Sequence, residues 1–112
     1  MKNSTYAIQG LIDVLKSETS FKIELFFAFI LIPIIFIIDT TLTNKLLMFI
    51  TFSGVLLAEI INSAIERTVD LVTIEYHDMA KKAKDVGSAI VFVSICICVV
   101  TWISILISIY LI

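Results

Sequence analysis

The feature that most limits this chain is its C-terminal end: from Val86 to Ile112 not one residue carries a charge. Such a run exceeds the roughly 20 apolar residues that cross a bilayer. Backbone groups in lipid must be satisfied within the segment, which leaves a helix as the simplest solution. Two further apolar runs, Leu25 to Ile38 and Leu46 to Ala58, are shorter. Beside the third they read as spans whose polar ends project inward. With 60% apolar residues in a length of 112, the chain reads as one all-α membrane domain (1–112) rather than a soluble one.

Taken in order, residues 4–16 place Ile8, Leu11, Ile12 and Leu15 at helical spacing, with Gln9, Asp13 and Lys16 on other faces. This predicts an amphipathic surface helix suited to the membrane interface, although a packing helix that never touches lipid has the same pattern. Lys2, Asp13, Lys16 and Glu18 make the first twenty residues unlike a secretory signal peptide. Residues 17–20 predict a turn. A first membrane helix follows at 21–38, with Pro33 placed to kink it by removing a backbone hydrogen bond. The loop 39–44 is rich in capping residues, and Thr43 or Asn44 is expected to cap a second helix at 45–74. A polar connector, residues 75–85, precedes the third helix at 86–112. Cys96 and Cys98, two residues apart in that helix, point away from one another and read as packing residues.

Lysine and arginine set the orientation. Lys2, Lys16, Lys22, Arg67, Lys81, Lys82 and Lys84 fall on one side and Lys45 on the other. The expectation is a cytoplasmic N-terminus and connector and an outward C-terminus. A net charge of −2 without a basic tail points away from nucleic acid.

Chemistry concentrates on the second helix. At about 100° per residue, Glu59, Asn62, Ser63, Glu66 and Asp70 share about a third of its circumference, opposite Ile60, Ile61, Ala64, Ile65, Val69 and Leu71. The stripe runs from membrane depth towards the cytoplasm. A carboxylate near the bilayer centre costs about 2.5–3.5 kcal/mol on insertion scales, so its presence marks function. Glu59, the deepest, sits where an amphiphile's hydroxyl would lie and where a general base would be needed. Glu66, nearer water, offers a hard oxygen to Mg²⁺, with Glu18 or Glu24 as partner. Lys84 and Asp85 bring a cation and a carboxylate from the connector, suited to phosphates. Blander roles compete: Glu59 as a packing carboxyl, Glu66, Asp70, Glu75 and Asp78 as a solvated helix extension, and Lys81, Lys82 and Lys84 as topology signals. The only glycines are Gly10, Gly54 and Gly87, so no glycine-rich phosphate loop exists.

The segments AEIINSAIERTVD (58–70) and EYHDMAKKAKDVGSA (75–89) resemble the prokaryotic diacylglycerol kinase family. These are small trimeric integral-membrane lipid kinases unrelated to the soluble ones, and the likeness extends over nearly the whole chain. The resemblance implies ATP- and Mg²⁺-dependent phosphorylation of diacylglycerol by direct in-line transfer, in a homotrimer with composite sites. It implies Glu59 as the base, and Glu18 of the SETSF turn with Glu66 on Mg²⁺. It assigns Tyr6, Glu75, Tyr76, His77, Lys84 and Asp85 to the nucleotide, Asn62 and Asp70 to support of the site, and Glu24 and Ser88 to the lipid end. Gln9 and Ile12 depart from two basic positions of the family's surface helix, so headgroup affinity is where this chain would differ.

Two rivals stand beside this reading. A sister branch phosphorylates undecaprenol and typically reads E-I-I-N-T-A-I-E with His-Pro in the connector. Ser63, the Tyr76-His77-Asp78 run and Gly87-Ser88 favour the diacylglycerol branch. The other rival is a proton-coupled transporter carrying protons on Glu59, but a stripe that opens only to the cytoplasm and the 75–85 connector argue against it. A structural subunit would leave Glu59 unexplained.

Overall fold

A computed structural model describes residues 2–112 of the chain as four helices: α1 (Lys2–Ser17), α2 (Thr19–Ile37), α3 (Leu42–Val72) and α4 (Asp78–Tyr110). Among the described residues there is no strand. The last three are long and apolar enough to cross a membrane. Helix α3 is the centre of the arrangement, packing on α4 along one flank and on α2 along another.

The amphipathic pattern of 4–16 produces α1, whose Val14 is buried while Ile8, Leu11, Ile12 and Leu15 remain exposed. An apolar stripe facing outward is what an interfacial helix needs. The expected turn at 17–20 shrinks to Glu18 alone, held in extended geometry between α1 and α2. Hydrogen bonding bridges this break, from the Glu18 amide to the Val14 carbonyl at 2.9 Å and from the Lys22 amide to the Glu18 carbonyl at 3.2 Å.

Helix α2 runs through Pro33 without interruption; the missing proline N–H leaves the Phe29 carbonyl without its helical donor. Phe21, Ala28 and Ile35, two turns apart, are its buried face. At its C-terminus the Lys45 ammonium donates to the Phe36 carbonyl at 2.9 Å, filling one of the acceptors that every helix end leaves open. Capping of α3 falls to Thr41 rather than to Thr43 or Asn44. The Thr41 hydroxyl accepts from the Asn44 amide at 3.2 Å, which starts the helix at Leu42.

At 31 residues, α3 is about 46 Å long. That exceeds the ~30 Å hydrocarbon core, so one end projects beyond it. The largest difference from the sequence reading concerns α4, which starts at Asp78 instead of near 86. The His77 ring nitrogen Nδ1 accepts from the Met79 amide at 3.1 Å, Asp78 complements the helix dipole, and Ala80, Lys81, Lys82, Ala83 and Lys84 are strong helix formers. The polar connector is therefore only residues 73–77, and the charges expected on it ride on α4. Hydropathy marks where lipid starts, whereas propensity and capping mark where the helix starts.

Away from the charged end, Ile35, Met48 and Ile105 form the core with Trp102, Leu106 and Ile109 packed against it. Trp102 donates its indole N–H to the Met48 carbonyl at 3.1 Å, joining α4 to α3. Cys96 and Cys98 are free thiols; Cys98 is partly buried, whereas Cys96 is exposed rather than packed.

A candidate lipid and nucleotide site on α3

Each polar residue of the α3 stripe finds a different neighbour. Deepest, the carboxyls of Glu59 on α3 and Glu24 on α2 meet within hydrogen-bonding reach. Glu24 keeps one buried oxygen, Oε2, without a partner. One turn on, buried Ser63 donates to Glu18 Oε1 at 3.0 Å, so the residue between α1 and α2 is folded back onto α3. The side chain that might have capped α2 is committed to this contact. Arg67 donates to the Ser17 hydroxyl at 2.8 Å, a second tie between the α1–α2 junction and α3.

On the same face Asn62 donates from Nδ2 to Glu66 Oε1 at 3.2 Å, a bond within one helix. Glu18 is thus held at Ser63, less than one turn from Glu66 in the α3 register. Each carboxylate uses Oε1 for its protein donor, and Oε2 takes no part in that bond. Among the described residues no three His, Cys, Asp or Glu side chains gather into a cage. Two carboxylates without a cage suit Mg²⁺, which keeps water and substrate phosphate in most of its coordination sphere; the donor set fits that ion.

Asp70, the last polar residue of the stripe, meets Lys84 of α4 at 2.6 Å. Lys84 also lines a groove of about 410 Å³ with Val69, Thr73, Glu75, Tyr76, His77, Lys81 and Asp85. Of the six residues expected at the nucleotide in addition to the two carboxylates, five, namely Glu75, Tyr76, His77, Lys84 and Asp85, share this one groove. The sixth, Tyr6, is exposed on α1 and is not part of its wall. Within the groove the Glu75 amide donates to Thr73 Oγ1 at 3.1 Å, and Tyr76 donates its hydroxyl to Asp78 at 2.9 Å. Lys81 pairs with Asp85 at 2.7 Å.

A separate apolar groove of about 490 Å³ lies between α3 and α4, lined among others by Gly54, Leu57, Ala58, Ile61 and Val93. Ser88, placed at the lipid end by resemblance, is exposed and is not in its wall.

Three participants were not anticipated as site residues. Arg67 and Lys81 were read only as topology signals, since a charge's partner cannot be inferred from a lysine count. Gly87 abuts Asn62; a single glycine at the start of the uncharged run was the available signal.

The profile of the family described as Prokaryotic diacylglycerol kinase matches residues 5–106. A diacylglycerol kinase of Haemophilus influenzae is 43% identical over 89% of this chain and 86% of its own length. One of Pseudomonas aeruginosa is 37% identical over 92% and 84%. An undecaprenol kinase of Bacillus subtilis is 29% identical over 82% and 75%. Profile and relatives together establish that this chain is a membrane protein of the prokaryotic diacylglycerol kinase family.

Proposed function

We propose that this protein transfers the γ-phosphoryl group of ATP to diacylglycerol, forming phosphatidic acid at the cytoplasmic face of the bacterial inner membrane. The observation that carries this reading is the ordered ladder on α3: the Glu59–Glu24 pair at depth, then Glu18 on Ser63 and Glu66 on Asn62, then Asp70 on Lys84 at the polar groove. A membrane alcohol reaches the deep end and a water-soluble nucleotide the other.

In this mechanism Glu59 accepts the proton of the lipid hydroxyl as its oxygen attacks the γ-phosphorus. The bond from that phosphorus to the bridging oxygen breaks in line, and ADP leaves. Glu24 holds Glu59 in place. Glu18 and Glu66 would hold the Mg²⁺ of the nucleotide, with Ser63 and Asn62 orienting their carboxylates. Mg²⁺, when bound, neutralises phosphate charge that this acidic stripe would otherwise repel. Lys84 donates to the phosphates, and Asp85, Glu75, Tyr76 and His77 contact the rest of the nucleotide. Asp70 orients Lys84; Tyr6 approaches from α1, and Ser88 lies towards the lipid. Catalysis rests on positioning and charge stabilisation, without a phosphoenzyme.

We propose a homotrimer in which helices of neighbouring copies complete each site. Supporting this, Leu71, Val72, Ile74 and Tyr76 at the charged end are more than three-quarters exposed, and a half-open stripe on a thin helical layer needs further walls to exclude water.

The test is transfer from labelled ATP in mixed micelles, with diacylglycerol and undecaprenol offered separately and Glu59→Gln as control. Phosphatidic acid from the unaltered protein alone supports the proposal. Product only from undecaprenol moves the substrate to that of the Bacillus subtilis relative, and no product from either lipid refutes the kinase reading.

A further inference from the structure

Helix α4 meets the polar stripe backbone-first at one position. Gly87 is buried whereas its neighbours Val86 and Ser88 are exposed. A Cβ at Gly87 would stand 2.5 Å from Asn62 Oδ1 and 3.5 Å from both Asn62 Cγ and Ile65 Cδ1. The same atom at Gly10 or Gly54 meets nothing within 4 Å. No glycine has a positive φ, so the need at position 87 is for space rather than for backbone freedom.

The atom pressed against Gly87 is itself unusual. Asn62 Oδ1 is buried and lacks a hydrogen-bond donor, an expense that native proteins rarely tolerate without reason. The glycine Cα–H that takes the place of a Cβ is directed at this oxygen, a weak contact of a kind known between packed helices. The other end of the same amide donates to Glu66 Oε1 at 3.2 Å, already at the long limit for such a bond. Glycine at 87 thus sets where the Asn62 amide stands, and the amide sets where the Glu66 carboxylate stands.

We propose that Gly87 is a positioning residue for divalent-metal nucleoside triphosphate binding, acting through Asn62 on Glu66. This rests on the reading above that Glu66 holds the metal of the nucleotide. An alanine at 87 pushes only the end of a side chain, so the helices keep their packing. The amide must retreat by about an ångström to reach an ordinary carbon–oxygen contact, and that breaks the Asn62–Glu66 bond. The effect falls on metal–nucleotide affinity and not on the lipid.

The test is equilibrium binding of Mn²⁺ with a non-hydrolysable ATP analogue, read by electron paramagnetic resonance on the full-length protein in micelles. It is run on the unaltered protein, Gly87→Ala, Asn62→Ala and the double variant, with helix content and melting recorded for each. Gly87→Ala is expected to bind roughly tenfold more weakly, the scale of one lost hydrogen bond to a charged group, and to raise the KM for Mg-ATP while leaving that for lipid unchanged. The double variant, in which removal of the amide makes room for the new methyl group, is expected to match Asn62→Ala alone. Unaltered affinity in a folded Gly87→Ala protein, or additive losses in the double variant, overturns the inference. Absence of binding by the unaltered protein overturns the metal–nucleotide reading of Glu66, and this inference with it.

Discussion

Lys84 Nζ lies 2.6 Å from Asp70 Oδ1, so the last carboxylate of the α3 stripe holds the cation that α4 presents to the polar groove. Both side chains are about half exposed, 43% and 52%, and an ion pair in that setting contributes little to stability, about 1 kcal/mol or less. Its consequence is direction: it keeps Lys84 at the groove that Asp85 also lines.

Exchanging the pair separates stability from chemistry. Lys84→Ala is expected to shift the melting temperature only slightly while lowering kcat roughly a hundredfold or more, the scale of removing one charge-stabilising donor. The double exchange Asp70→Lys with Lys84→Asp restores the pair without restoring transfer, because the cation then sits on the wrong helix. Recovery of activity in the exchanged protein would show that only the net charge matters.

Glu59→Gln keeps the side-chain shape and its contact with Glu24 but removes the proposed base. Transfer is expected to fall by roughly 10²–10⁴-fold, with nucleotide binding unchanged, because the proposed nucleotide contacts lie towards the other end of the ladder. Phosphorylation measured beside nucleotide affinity checks this, and a parallel loss of binding would assign Glu59 to the nucleotide instead.

Removing metal with a chelator is expected to abolish transfer, and added Mg²⁺ to restore it. Glu18→Gln should need a higher Mg²⁺ concentration for half-maximal rate. Ser63→Ala should move it the same way by less, since it frees Glu18 without removing it, and should cost about 1 kcal/mol for the lost hydrogen bond. Rate against free Mg²⁺ separates the three proteins; identical curves would exclude Glu18 from the metal.

At the opposite end of the molecule, Trp102→Phe deletes the donor to the Met48 carbonyl but keeps most of the ring packing. A loss of about 1 kcal/mol in stability is expected, with kcat and both KM values unchanged. A change in KM would mean that the core around Met48 and Ile105 communicates with the site.

Much of this is legible in the sequence alone. Charge depletion after Val86 demanded a membrane helix, and the spacing of Glu59, Asn62, Ser63, Glu66 and Asp70 placed them on one face. Both follow from periodicity and solvation, which act along a single helix. Where α4 starts was misjudged by eight residues, because Lys81, Lys84 and Asp85 are polar and helical at once and hydropathy registers only the first property. The cap on α3 moved from Thr43 or Asn44 to Thr41 for a similar reason, since several adjacent residues could cap and backbone geometry selects among them.

Partnership belongs to the tertiary structure. Sequence supplied the inventory of carboxylates, but only the crossing of α2 over α3 decided that Glu24 faces Glu59, and only the fold at Glu18 brought that carboxylate to Ser63. The approach of α4 decided that Gly87, and not Gly10 or Gly54, has no room for a methyl group. Helical periodicity orders residues around one axis; which residue on another axis stands opposite depends on ångström-scale packing between helices, and that information is absent from either segment alone.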